Sequence, residues 1–192
     1  MRTKDPYLEN RETFDWAEGR LCGSRWATSS DKTKSLGSEM KTLLSSSDKA
    51  ELLARLQSVS PISARGWGKM SAHQMVCHLA DAFRLYMGLR AARPIAMPYR
   101  RVVLKWTALW APIPWPRGFK TAPEIDPEAE GTRPTVFEQD LRGLRVLVNR
   151  FTRQPRDFEW PPAHPHFGPM STAEWMRLAY LHTDHHLRQF GA

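Results

Sequence analysis

From residue 40 onward, apolar positions recur every three or four residues in four blocks, and each block predicts a helix. The first covers about 47–59, with Leu52, Leu53 and Leu56 as its apolar stripe, Ser47 as its cap and Pro61 as its stop. The second opens on a capping box, Ser71-Ala-His-Gln74, and is expected to run to Gly88 or Arg90. The third spans about 135–152, with Phe137, Leu141, Leu144, Val148 and Phe151 at helical spacing. The fourth opens on another capping box, Ser171-Thr-Ala-Glu174, and runs to Gln189, with Gly191 just beyond. Residues 99–110 read as a short extra helix inside a long connection, 91–133. No stretch reads as a strand ladder, so the expected class is all-α, a four-helix bundle. The long connection frees the second and third helices from being antiparallel neighbours.

Residues 1–39 differ from the rest. Their apolar positions are sparse and lack a period, and residues 24–38 are rich in Ser, Thr and Lys, a composition that does not build a core. The expected organisation is a poorly ordered extension over 1–39 and a helical domain over 40–192. Met40, where the pattern changes, is then the expected natural start.

Composition narrows the setting. The chain has 192 residues, of which 41% are hydrophobic, enough for one cored domain. It has no apolar run of membrane-spanning length and no apolar segment behind its N-terminal MRTKDPYLEN. Two cysteines, Cys22 and Cys77, exclude a disulfide framework and a four-cysteine zinc site. The expected location is the cytoplasm. Net charge is +8, from 28 basic and 20 acidic residues. The excess is local: eight basic residues and no acidic one lie between Ala82 and Pro123, and Glu124, Asp126, Glu128 and Glu130 follow at once. The simple reading is a solvated connection with two partly compensating charge blocks. A surface for nucleic acid or anionic membrane is the least favoured reading, since PIPWP breaks any long amphipathic helix.

The sharpest chemical feature is His182-Thr-Asp-His185-His186 in the fourth helix. At about 100° per residue, His182 and His186 lie about 40° apart, in the sector of Trp175 and Ala179. Arg177, Asp184 and Arg188 fall on the opposite side. Two imidazoles on an inward face each need a partner, and one shared cation serves both. The spacing suits zinc, but Thr183 stands where a zinc protease helix needs Glu. The second helix offers a third imidazole, His78, on a face with Met75, Ala82 and Leu85. Three imidazoles leave a coordination position open, as catalytic sites do. His185, about 80° off the face centre, reads as a flank residue or an alternative ligand, with Gln189 beside the site. Asp81 could accept the free N–H of a ligand imidazole, though exposure is its simpler reading. His73 is expected at the surface, Cys77 points away from His78, and His164 and His166 are expected to shape a turn and to pack.

Residues 67–88 (WGKMSAHQMVCHLADAFRLYMG) and 164–191 (HPHFGPMSTAEWMRLAYLHTDHHLRQFG) resemble the DinB/YfiT-like superfamily of proposed metalloenzymes. The likeness is to its subgroup with an HPxFG loop and an HxxHHxxQFG ending, and PIPWPRGFKTAPEID (112–126) is similar to that subgroup's central connection. It extends over about 40–191. It implies a four-helix bundle holding a divalent metal, zinc or nickel foremost, on His78, His182 and His186. Relatives in the superfamily transfer a low-molecular-weight thiol such as bacillithiol, mycothiol or glutathione to an electrophile, or act as metal-dependent hydrolases, and are often homodimers. Most of the subgroup has no assigned function, so the likeness carries no substrate. The expected activity is therefore metal-dependent thiol transfer or hydrolysis, with the basic, tryptophan-bearing stretch 84–120 covering the cavity. A non-catalytic, metal-stabilised bundle is the alternative.

Overall fold

The computed structural model describes residues 40–93, 101–118 and 121–192. The expectations for residues 1–39, and for the start of the extra helix at 99 and 100, lie outside them. Among the described residues the chain is all-α, with five helices. These are α1 (Ser46–Ser58), α2 (Ala72–Tyr86), α3 (Arg101–Trp110), α4 (Phe137–Phe151) and α5 (Thr172–Gln189), with a 3-10 turn at Pro123–Ile125.

Caps fix the ends. Helix α1 starts from Ser45, not the expected Ser47, because the Ser45 hydroxyl accepts the Asp48 N–H while the Asp48 carboxylate accepts from Thr42 N at 2.9 Å. Both capping boxes form: Ser71 exchanges bonds with Gln74, and Ser171 with Glu174. Helix α2 stops at Tyr86, short of the expected Gly88 or Arg90. Gly88 takes a φ of 71°, and Leu89 N–H reaches Arg84 O at 2.8 Å while Gly88 N–H reaches Leu85 O at 3.0 Å. This paired closure ends the helix in a left-handed residue that glycine tolerates.

The core lies where α2 packs on α4 and α5, with α1 and α3 also against α5. All five apolar positions expected for the third predicted helix are buried: Phe137, Leu141, Leu144, Val148 and Phe151. On α1, Leu52 and Leu56 are buried and Leu53 is half-buried. Helix α5 is covered on both sides. Asp184, expected on the outward face, is buried, because Arg55 of α1 reaches its carboxylate at 2.7 Å and Arg188 does so at 2.8 Å. Helix α3 buries only Leu109, and is tied to α5 by Lys105–Glu174 at 2.9 Å and by Arg177 Nε–H to Leu109 O at 3.1 Å.

Among the described residues, parts of the connection between α2 and α4 are pinned to α2. Asp81, fully buried, accepts from Arg84 at 2.8 Å, from Arg90 at 2.5 Å, and from the Thr132 N–H and hydroxyl at 2.6 and 2.8 Å. The expectation that Asp81 is exposed or serves an imidazole is thus corrected: two guanidiniums and a main-chain N–H take its oxygens. The two charge blocks meet, since Arg93 bonds Glu130 at 2.6 Å and Arg90 donates to Glu124 O at 2.6 Å. Gly131 closes this loop; a Cβ there would lie 2.6 Å from the Asp126 carbonyl. The pinned loop brings Ile125 against α2.

Candidate metal centre

Three imidazoles from two helices converge. His78 on α2 is 3% exposed, and its Nε2 lies 3.0 Å from Nε2 of His182 on α5. His186, one turn further along α5, completes a near-equilateral triangle with ring centroids 5.0 Å (78–182), 4.7 Å (78–186) and 4.9 Å (182–186) apart. One nitrogen from each ring lies within 4.8 Å of the others. His78, His182 and His186 are positioned to hold a metal ion.

The opposite edge of every ring is engaged. His78 Nδ1 meets Ile125 O at 2.8 Å. A carbonyl only accepts, so Nδ1 carries the proton and Nε2 is a bare lone pair. His186 Nδ1 meets Gln189 Oε1 at 2.9 Å, and the Gln189 amide is oriented by its Nε2–H bond to Trp67 O at 2.7 Å. That again places the proton on Nδ1 and leaves the His186 Nε2 lone pair free. His182 Nδ1 meets the buried Tyr86 hydroxyl at 2.8 Å. A hydroxyl can donate or accept, so His182 can present either tautomer. Ligand imidazoles that give the other N–H to an oxygen acceptor are what a cation site requires. The donor set fits a metal ion: three neutral nitrogens, each with its far edge engaged.

Electrostatics agrees. Burial holds the pKa of His78 below the ordinary histidine value. It holds His182 and His186 well below it, and in each case the neighbouring imidazoles add to the effect. The rings are neutral, and therefore ligand-competent, at neutral pH.

Around the triangle the walls are aromatic. Trp115 stacks on His182 at 6.0 Å with an interplanar angle of 28°. His185, half-buried, packs between Trp115 at 5.9 Å and Trp67 at 5.7 Å, and Arg117 sits 4.5 Å over the Trp67 ring. His164 lies between Tyr86 at 6.1 Å and Trp175 at 5.6 Å, and burial pushes its pKa down to about 3. His164 thus has both expected roles: it packs in the wall of the site, and its loop closes by a bridge with Gly168.

The expected site residues separate as follows. His78, His182 and His186 come together; Gln189 holds His186; His185 lies at the flank; Asp81 is on other duty. His73, expected at the surface, is half-buried and bonds Asp140 at 2.7 Å, because α4 covers that side of α2. Sequence reasoning placed Trp115 in the stretch expected over the cavity, and missed Tyr86, Trp67 and the Ile125 carbonyl. Tyr86 left a trace: it stands two turns beyond His78 on the same helix, and a buried tyrosine hydroxyl needs a partner. The carbonyl left none, since its position depends on a loop path.

Comparison with family models, curated proteins and solved structures finds no match to this chain. Among the described residues no helix is long and apolar enough to cross a membrane.

Proposed function

We propose that this protein is a divalent-metal-dependent enzyme on a four-helix bundle of DinB/YfiT-like type, with zinc or nickel held by His78, His182 and His186. Its reaction is transfer of a low-molecular-weight thiol to an electrophile, or hydrolysis in the same cavity. The observation that carries this reading is the triangle of imidazoles whose Nδ1 edges are all occupied, two of them by acceptors that fix the Nε2 lone pair inward. Bound there, a divalent cation is a Lewis acid that lowers the pKa of a thiol or water admitted to its remaining position.

The chain's own residues do the rest. Ile125 and Gln189 hold two ligand rings in one tautomer. Trp115, Tyr86 and His164 supply aromatic walls beside the ligand rings. His185, half-buried between Trp67 and Trp115, stands at the flank of the ligand rings, where burial favours its neutral form.

The test is metal content and turnover of untagged protein, alongside His78→Ala and His182→Ala. Bound metal in the parent, about one equivalent less in both variants, and metal-dependent turnover with one of a panel of thiols and electrophiles are expected. A parent that carries no metal, or variants that carry as much as the parent, overturn the proposal.

One observation favours a second reading. The three Nδ1 partners are a carbonyl, a phenol and an amide, and none is a carboxylate that could serve as a base. A metal-stabilised bundle without turnover would show a metal-dependent melting temperature while every substrate assay stayed silent.

A further inference from the structure

A second donor set lies on another side of α2. His73 and Cys77 stand one turn apart and face α4. Asp140, in the first turn of α4, meets both: its Oδ2 is 2.7 Å from His73 Nε2 and 3.8 Å from Cys77 Sγ. One nitrogen, one sulfur and one oxygen here lie within 4.8 Å of one another. Cys77 is 1% exposed, while His73 and Asp140 are half-buried, so the set is reachable from one side. The Asp140 carboxylate is held independently by Thr135, whose N–H reaches Oδ2 at 3.0 Å. Phe137 packs edge-on against the His73 ring at 5.3 Å. Cys77 and His78 are about 100° apart on the helix, so α2 turns one donor set toward α5 and another toward α4.

We propose that His73, Cys77 and Asp140 form a second cation site, separate from the three-histidine centre, that takes one thiophilic divalent ion of the zinc or cadmium kind. A thiolate and a carboxylate together balance the charge of the ion, and a neutral imidazole completes a borderline-soft N, S, O set. On binding, the Cys77 S–H bond breaks, the sulfur–metal bond forms, and the proton leaves to solvent; no oxidant is involved. Ligand bonds of about 2.0–2.3 Å set donor atoms roughly 3.3–3.8 Å apart. The Cys77–Asp140 separation already falls there, and the His73–Asp140 contact needs to open by less than about 1 Å. The site does not depend on the proposed enzymatic function.

The test uses the full chain carrying Cys22→Ser, His182→Ala and His186→Ala, so that Cys77 is the sole thiol and the three-histidine centre is removed. It is titrated with cadmium while the sulfur-to-cadmium charge-transfer absorption is followed. One equivalent with a saturating band is expected, absent in added Cys77→Ser and weakened at least about tenfold in added His73→Gln and Asp140→Asn, with helical circular dichroism unchanged. The chain with Cys22→Ser alone should show the same band, which guards against misfolding of the triple variant. No band in either parent at excess cadmium overturns the site. So does a band of equal affinity in both His73→Gln and Asp140→Asn, which would mean a thiol acting alone. Failure of the three-histidine proposal would lower total uptake and leave this band untouched.

Discussion

His78 and His182 are 104 positions apart in the chain, yet their Nε2 atoms face each other at 3.0 Å. Because the Ile125 carbonyl fixes the proton of His78 on Nδ1, His78 can only accept across that gap. Without a cation, His182 must therefore supply an Nε2–H, with Tyr86 donating to its Nδ1. Were a cation held there, His182 would carry its proton on Nδ1 and the Tyr86 oxygen would accept it. The phenol is the one partner of the three able to serve both arrangements, which gives it a testable role.

Tyr86→Phe should leave the fold intact and cost about 1 kcal/mol of stability. Metal affinity should fall by about 10–100-fold, the usual effect of losing a ligand's orienting partner. Competition with a chromogenic chelator measures this. Unchanged affinity would mean that His182 needs no help from the hydroxyl.

Gly68 takes a φ of +78°, and a Cβ there would sit 2.6 Å from Gln189 Nε2. Gly68→Ala should cost about 1–2 kcal/mol from backbone conformation alone. It should also push Gln189 off Trp67 O and loosen His186, lowering metal occupancy. Gly66→Ala is the control, since its Cβ would meet Gln189 O at an ordinary 3.6 Å. Urea midpoints and metal content of the two variants decide the matter; equal behaviour would remove the clash argument.

Asp81→Ala leaves Arg84 and Arg90 without their buried carboxylate and Thr132 without its acceptor. Breaking a buried pair in this way costs about 3–5 kcal/mol. The connection carrying Ile125 should detach with it, so metal affinity should fall even where the helices survive. Denaturation in chelator and metal uptake at low temperature separate the two effects.

Metal-free protein should lose stability as pH falls. Burial keeps His78, His164, His182 and His186 below their unfolded values, so between the two values the unfolded chain binds more protons. Stability is then complete above about pH 6.5 and declines below it. His164, at about 3, alone accounts for about 2 kcal/mol between pH 7 and pH 5. Urea midpoints in chelator at pH 7.5, 6 and 5 should drop in order, and His164→Gln should flatten the curve. A level profile would contradict neutral, buried rings.

The helices were legible because each apolar stripe and each capping box is a local pattern. Ser71 and Ser171 mark true starts, and His78, His182 and His186 could be placed inward by counting 100° steps. Local patterns stop at the helix surface. Asp184 and Asp81 read as outward because a polar residue on a helix flank usually is; burial came from Arg55, on α1, and from Arg84, Arg90 and Thr132, all charge or hydrogen-bond partners that no periodicity reveals. His73 was misplaced for the same reason: the side it occupies is covered by α4, and Asp140 awaits it there. Residues 111–118 put Trp115 on His182 through a loop geometry set by its own bond to Ala108 O at 2.8 Å, which only tertiary structure determines.

The group that aligns His78 belongs to the main chain at Ile125, so replacing that side chain cannot delete it. A saturation scan read through metal retention should therefore be nearly silent at position 125. It should respond instead at Gly131 and Asp81, for which no hydrogen bond to an imidazole is seen but which dictate where the peptide runs. The tuning of this centre is written into the route of the polypeptide, one step removed from the letters beside it.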